Sequence, residues 1–261
     1  MRIRLRFAKL GKIRFTSHRD VARIWERALR RAELPVAYSE GFSPRPKLSF
    51  GLALSTGHES VAEYLDVELR NGSEADVAAL PTQLSEQLPV GIDVTAAAPL
   101  APGSPSLQED VTSCTWRIEV VDLVPADARD LVEATLAADE LVVTRTRKGR
   151  EVTDDLRPAV IAINVTGPSE RGTELEAELA VHPRSVRPAE LLLALSPGLE
   201  EGRVVRTAQW IWRDGARLEP LVAEAATTAR PLREDDHVRF RSPAAQRADE
   251  RVGEHVGAAL L

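Results

Sequence analysis

The chain has 261 residues, of which 43% are hydrophobic and 28% charged, and its net charge is −6 at pH 7. This is the composition of a globular protein with one large or two ordinary domains. No apolar run reaches transmembrane length, and residues 2–7 alternate charged with apolar side chains, unlike the core of a signal peptide. We therefore expect a cytoplasmic protein that does not bind membranes.

Cysteine and histidine usage limits the chemistry that the chain can carry out alone. Cys114 is the single cysteine, and the 5 histidines are scattered without metal-ligand spacing. These counts exclude an intramolecular disulfide, a three-cysteine iron–sulfur site and a zinc site built on paired cysteines. We expect no metal ligands and no cofactor bound by this chain.

Positive charge is concentrated at the start of the chain. Residues 1–50 contain 13 Lys and Arg against 4 Asp and Glu, whereas the remaining residues contain 21 against 36. A basic segment on an otherwise acidic protein is typical of phosphate-binding surfaces. The alternative is a solvated helix face.

The pattern of the first hundred residues predicts two helices among short strands. Residues 2–8 alternate as a half-buried strand does, and residues 18–33 place apolar side chains at helical spacing, with Ser17 and Asp20 as a capping box. A loop stiffened by Pro44 and Pro46 follows. The remaining predicted elements are strands at about 48–54, 62–70 and 90–98 and a weaker helix over 74–88, near whose start Pro81 must lie.

This order, βαββαβ, is that of a ferredoxin-like domain, and it recurs after a linker rich in Pro, Gly and Ser at 99–110. We predict an α+β protein with two tandem ferredoxin-like domains, at 1–98 and 111–215, each with helices on one face of an antiparallel sheet. The polar segment 216–261 is predicted to be a largely disordered tail. The second set of elements comprises strands at 111–121, 140–147, 158–165, 173–181 and 203–213 and helices at 125–138 and 187–196.

Four segments carry a family resemblance: GKIRFTSHRD at 11–20, RRAELP at 30–35, YSEGFSPRPK at 38–47 and EYLD at 63–66. They closely resemble the N-terminal signature of the radical-SAM-linked domain family. The chain looks like the stand-alone form of this domain of unknown function, which also occurs at the C-terminus of cobalamin-binding-type radical SAM proteins. The resemblance is strong over residues 1–70 and looser to about 213. It implies a radical SAM protein as partner and leaves the reaction open.

The basic segment supplies the candidate binding residues. We expect Lys12, Arg14, Arg45 and Lys47 to converge beside the start of the first helix, whose free amides favour a phosphate. Arg45 lies on stiff backbone between two prolines and suits bidentate phosphate contact, while aromatic side chains nearby could stack on a base. The candidates for substrate or anion binding are Lys12, Arg14, Ser17, His18, Arg19, Tyr38, Phe42, Arg45, Lys47 and Glu63; Arg23, Arg27, Arg30 and Arg31 extend the positive surface.

Each candidate also has a purely structural interpretation. The helix arginines could be solvated or paired with Glu26 and Glu33. Phe42 could plug a core, and Glu63 is expected to face solvent at a strand end, although it could point inward or towards Arg14 or Arg45. The basic cluster at 145–150, at a predicted hairpin, could be a solvated turn.

Three functions follow from these features. The first is an accessory protein that binds RNA, such as tRNA, or another phosphate-bearing substrate for a radical SAM partner. The second is a metal-free RNA-processing enzyme in which His18 is a weak candidate for general acid or base. The third is a protein–protein adaptor for a radical SAM or RNA-processing partner. A non-catalytic binding role agrees best with the residue pattern.

Overall fold

The computed structural model of the chain describes residues 1–147 and 149–221. The alternating segment after Met1 forms β1 (Arg2–Lys9), which continues through a 3-10 turn (Gly11–Phe15) into α1 (His18–Arg31). The rest of the first half consists of β2 (Leu48–Phe50), β3 (Glu59–Glu68), α2 (Leu80–Gln87) and β4 (Ile92–Leu100). Helix α2 begins six residues later than predicted, with Pro81 in its first turn, where a missing N–H is tolerated.

The second half follows the predicted order with additions. Its elements are α3 (Leu107–Asp110), β5 (Val111–Val121), α4 (Pro125–Ala137), β6 (Val142–Arg147), β7 (Arg150–Asp155), a 3-10 turn (Arg157–Ala159), β8 (Val160–Pro168), β9 (Gly172–Ala180), α5 (Pro188–Leu195), β10 (Glu201–Arg213) and β11 (Ala216–Leu218). It adds α3, β11 and β7, the strand that completes the hairpin predicted at 145–150. The predicted linker at 99–110 therefore includes the end of β4 and all of α3. The predicted tail includes β11; its residues 222–261 lie outside the described part of the chain.

The described strands from both halves form one nine-stranded sheet, apart from the separate β6–β7 hairpin. The order is β4-β1-β3-β10-β5-β9-β8, with β2 beside β3 and β11 beside β10. Neighbours are antiparallel except at the junction of the halves, where β3 and β10 run parallel and pair only at Glu59–Val205 and Ser60–Arg206. The predicted mixed α+β class with antiparallel strands and few helices is confirmed.

Each half has an apolar core between its strands and its helices. In the first half, Phe7 of β1 meets Trp25 of α1 edge-on, with ring centroids 4.9 Å apart. In the second half, Ile118 of β5 packs in a core that includes Leu191 of α5. Burying such a side chain contributes about 1.5–3 kcal/mol. Among the described residues, no helix is both long and apolar enough to cross a bilayer.

The opposite face of the first-half strands is also covered, which the alternation alone did not predict. The alternation of the strand predicted at 62–70 places Leu65, Val67 and Leu69 inward and Tyr64, Asp66 and Glu68 outward. Tyr64 and Asp66 are nevertheless only 1% and 2% exposed. Leu107 and Leu221, distant in sequence, belong to the same buried apolar cluster as Tyr64. Beneath them Arg4 binds Asp66 through two hydrogen bonds of 2.7 and 2.9 Å, so that a charge predicted to face solvent is buried and neutralised by a partner.

Candidate nucleic-acid interface

Ser17 caps the start of α1 as predicted, whereas the Asp20 carboxylate reaches back to the Ser17 hydroxyl instead of to the Ser17 amide of a capping box. The Ser17 hydroxyl accepts a hydrogen bond from the Asp20 amide at 3.2 Å and donates one to the Asp20 carboxylate at 2.7 Å. This second bond holds the pKa of Asp20 below its ordinary value. The helix start therefore carries its own carboxylate, which competes with any anion for the first-turn amides.

The predicted convergence of the four basic residues is not found, because their partners lie at opposite ends of β3. Arg14 pairs with Glu59 at 3.4 Å, whereas Lys47 pairs with Glu68 at 2.9 Å. Residues nine apart on one strand are separated by about 30 Å. Lys12 lies in the 3-10 turn with Arg14, and Arg45 belongs to the loop that ends at Lys47. A single anion-sized site across all four residues was therefore a wrong expectation.

Residues 38–47, which we call the aromatic loop, form a hairpin-like projection. Tyr38 bridges Pro46, and the amide of Ser39 donates to the carbonyl of Arg45 at 2.8 Å. The Arg45 amide returns a bond to the Ser39 hydroxyl at 3.0 Å. At the tip the Phe42 side chain is fully exposed, and Tyr38 is 47% exposed. Phe42 therefore fills no core, and its ring is free to stack on a ligand.

A row of exposed arginines lies along the solvent side of α1. Spacings of three and four residues place its members on one helix face. Arg23 pairs with Asp20 at 3.1 Å rather than with Glu26, and Arg31 donates to the carbonyl of Gln87. Within residues 1–147 and 149–221, no carboxylate forms an ion pair with Arg19, Arg27 or Arg30. We call this row the arginine stripe; it comprises Arg19, Arg23, Arg27, Arg30 and Arg31.

Glu63 does not face solvent. It is 8% exposed, and one of its carboxylate oxygens accepts two hydrogen bonds from Arg206 of β10, which is 1% exposed. The Lys9 ammonium, nearby, donates to the carbonyls of Arg14 and Thr16, and burial lowers the pKa of Lys9. Glu63 is thus part of a buried charged cluster at the junction of the two halves, and it is not available to a ligand.

His18 is exposed at the first turn of α1, and its ring lies edge-on to Phe50 at 5.2 Å between centroids. It also lines a cavity of about 20 Å³ together with Lys9 and Glu63. A space of that size holds about one water molecule. The arrangement brings an acid and a base near His18, but the cavity is too small for a substrate.

Sequence reasoning missed Arg206 and Lys9. Arg206 interrupts the apolar run that begins at Val204 and Val205 in a strand with few exposed residues. A charge inside such a run signals a buried ion pair, because a lone charge there would be too costly. Nothing in the local pattern identifies Glu63, 143 residues away, as the partner of Arg206.

Comparisons with known proteins give a family and a distant structural likeness. No curated protein matches the chain. Among solved structures, the chain resembles part of the "Crystal Structure of a Cbf5-Nop10-Gar1 Complex", with 12% identity and a TM-score of 0.43 over 79% of this chain. It spans about half of that chain, 48%. Residues 2–195 match the family described as "Uncharacterized protein conserved in bacteria (DUF2344)", and the chain therefore belongs to this family.

Proposed function

We propose that the protein binds RNA through the arginine stripe and the aromatic loop, as an accessory to another enzyme. The observation that carries the proposal is the fully exposed Phe42 at the tip of the aromatic loop. A stacked base contributes about 1–3 kcal/mol to binding, and exposed arginines contribute contacts to phosphates. Arg19, Arg27 and Arg30, which form no ion pair with a described carboxylate, offer those contacts.

A tandem ferredoxin-like scaffold for this surface is part of the proposal. Support comes from the strand order, β4-β1-β3-β2 in the first half and β10-β5-β9-β8 in the second. Both correspond to βαββαβ units, if the β6–β7 hairpin is an insertion in the second. The scaffold would hold α1 and the aromatic loop in place, but fold alone does not indicate function.

RNA binding is tested by titrating fluorescently labelled single-stranded RNA at salt concentrations between about 50 and 200 mM. We expect affinity to fall with salt, and Phe42→Ala to weaken binding by about 5- to 150-fold, the equivalent of one lost stack. Arg45→Ala should also weaken binding. Trp212→Ala removes another exposed aromatic side chain, on β10, and should bind as the wild type does.

Two outcomes would overturn the proposal. One is a wild-type protein with no salt-dependent RNA binding, and the other is a Phe42→Ala variant with unchanged affinity. RNA that is cut rather than held would favour the enzymatic alternative, in which the exposed His18 is the candidate acid or base. In that case cleavage should disappear in His18→Ala.

The partner in this proposal is a radical SAM protein, as the sequence resemblance implies. Purifying the native protein and identifying what accompanies it would test both the RNA and the protein partner. A radical SAM protein recovered without RNA would favour the adaptor role. RNA lost on nuclease treatment while the protein partner remains would separate the two interactions.

A further inference from the structure

Strand β8 (Val160–Pro168) lies at one edge of the nine-stranded sheet. One of its sides pairs with β9, and within residues 1–147 and 149–221 no strand pairs with the other side. An edge strand presents unpaired backbone N–H and C=O groups, which can form hydrogen bonds with a strand of another chain. The free side of β8 is therefore a place at which a further strand can be added.

β8 lacks the charged side chains that usually protect such an edge. Its nine residues, VIAINVTGP, include no Lys, Arg, Asp or Glu. Every other described strand of more than three residues carries at least one charged side chain, including β4 with Asp93 at the opposite edge of the sheet. Charged residues on an edge strand oppose pairing with another chain. The strand in which protection is most needed is thus the one without it.

Two bulges and a proline shorten the open edge without closing it. The register with β9 shifts between Val160 and Ala162 and again between Val165 and Gly167, and Pro168 ends the strand. Between these irregularities the four residues from Ala162 to Val165 keep regular pairing. Backbone pairing over so short a length is weak by itself, and burial of side chains has to supplement it.

An apolar groove beside the open edge offers that burial. The groove, of about 530 Å³, lies between α4 and β8, and its lining includes Val132 and Leu136 of α4 and Ile163 and Val165 of β8. Leu136 is 44% exposed, and Ile161 on the same strand as Ile163 is 54% exposed. Exposed apolar side chains that lie together mark surfaces for association, because covering them removes apolar area from water.

A second copy of the chain suits this edge, because β8 is complementary to itself. When two β8 strands run antiparallel about a two-fold axis at Asn164, Ile163 of each copy lies opposite Val165 of the other. Asn164 then lies opposite its own equivalent. It is exposed, and its side chain makes no hydrogen bond within the described residues. An amide side chain both donates and accepts, so two such groups can bind each other.

The rim of the groove is self-complementary as well. Arg129 and Glu133 of α4 are exposed and line the groove, and in the part of the chain that the structure describes neither forms an ion pair. A two-fold axis allows Arg129 of each copy to approach Glu133 of the other. Exposed ion pairs contribute little affinity but favour one orientation, so the backbone and apolar contacts supply most of the binding.

We propose that β8 is a homodimer interface, in which two copies pair their β8 strands antiparallel about Asn164 and cover the grooves between β8 and α4. The sheets of the two copies then form one continuous sheet. Because the regular edge is short, the interface belongs with small, reversible ones, and the dimer should form at micromolar rather than nanomolar concentrations. The inference is independent of RNA binding, since neither the arginine stripe nor the aromatic loop takes part.

Sedimentation velocity of the full chain between about 1 and 200 μM tests the interface. The weight-average mass should rise with concentration from 28.5 kDa, the mass of one chain, towards twice that value. Asn164→Lys places two like charges opposite each other at the axis, and it should weaken association by at least about 10-fold. Asn71→Lys, the same change at an exposed position in the turn after β3, should associate as the wild type does.

A charge exchange on α4 distinguishes a second copy from a different partner. Glu133→Arg places two arginines of one copy beside those of the other, and it should weaken association by about 3- to 30-fold, because two ion pairs are lost. Arg129→Glu/Glu133→Arg restores opposite charges across the two-fold axis and should recover the wild-type association. Recovery is expected only if both sides of the interface carry the exchange, as they do in a homodimer.

A wild type that stays at the mass of one chain over the whole concentration range would overturn the inference. A dimer that Asn164→Lys leaves unchanged would do so too, because association would then use another surface. Equal association of the Glu133→Arg variant and the double variant would contradict the two-fold arrangement. Circular dichroism and thermal melting confirm that the variants remain folded, and none of these outcomes bears on RNA binding.

Discussion

Arg206 on β10 donates through Nε at 3.0 Å and Nη2 at 2.6 Å to the same carboxylate oxygen of Glu63 on β3. The pair connects two strands that share only two residue pairs of parallel register. A third bond runs from the Arg206 guanidinium to the carbonyl of Leu52 at 2.9 Å, and Trp116 lies 5.2 Å from the guanidinium carbon. One arginine thus links the chain segments on both sides of the junction.

Breaking this pair should destabilise the whole protein. Glu63→Gln leaves the Arg206 charge buried without its counter-ion, and a loss of about 3–5 kcal/mol in the free energy of unfolding is expected. Glu63→Leu combined with Arg206→Met should recover much of that loss, because an apolar pair avoids burying charge. Urea denaturation of the single and double variants measures the coupling. If the free energy of unfolding of the single variants lay within about 0.5 kcal/mol of the wild-type value, the pair would not be desolvated.

The arginine stripe should contribute to RNA affinity but not to stability. Arg27→Gln and Arg30→Gln each remove one exposed charge, and each should lower the salt slope of RNA binding by about 1. The free energy of unfolding should stay within about 0.5 kcal/mol of the wild type. Arg129→Gln, an exposed arginine on α4, is the matched control. Equal slopes for all three variants would contradict a role for the stripe.

Cys114 should resist thiol reagents in the folded protein. It is 2% exposed, and burial raises the pKa of its thiol to about 11 from an ordinary 9.0. At pH 8 this shift alone lowers the thiolate population by about 100-fold. Alkylation should therefore be at least that much slower in buffer than in denaturant, and mass spectrometry can follow it. Comparable rates in both conditions would show that β5 opens readily.

Asp155 should stabilise the base of the hairpin in a pH-dependent way. Its carboxylate accepts hydrogen bonds from the amides of Leu141 at 2.7 Å and Arg157 at 2.9 Å, and these bonds lower its pKa. With a lowered folded-state pKa, the stabilisation is complete above the unfolded value of about 3.9 and disappears as pH falls through the folded value. Asp155→Ala should therefore lower the melting temperature at pH 7 but not at about pH 2.

Asp139→Ala, in the same region, serves as the control because this exposed carboxylate makes no hydrogen bond within the described residues. It should leave the melting temperature unchanged at both pH values. If Asp155→Ala lowered the melting temperature equally at neutral and acidic pH, the side chain would act by packing rather than by charge.

The spacing of apolar residues along the chain predicted the helices and strands well, but it did not predict which other segments pack on them. The strand at 111–121 was predicted with both ends correct, and α1 ends at Arg31, two residues before its predicted end. Periodicity reports which residues share a face, and that is a property of neighbours along the chain. What covers a face depends on distant segments, which is why the burial of Asp66 was not foreseen.

The same distinction separates the correct and incorrect parts of the candidate site. The Ser17 cap involves residues three apart, and the sequence was enough to predict it. The positions of Arg14 and Lys47 depend on Glu59 and Glu68, which a loop and a strand bring to them from elsewhere in the chain. Phe42 is exposed because the hairpin-like loop projects, a geometry that composition alone does not define.

Because the two halves share one sheet through the short parallel contact between β3 and β10, a cut between the halves would separate residues that pair with each other. A fragment that stops at residue 98 keeps Glu59 and Glu63 but loses their ion-pair partners on β10, Arg203 and Arg206, and of the two carboxylates only Glu59 keeps a second partner, Arg14. The fragment would expose the edge of β3 that pairs with β10, and it would leave the carboxylate of Glu63 without its counter-ion beside apolar side chains. We therefore expect that the N-terminal half will not fold stably when it is transferred alone. A fragment transferred to another protein should include the strand at 201–213.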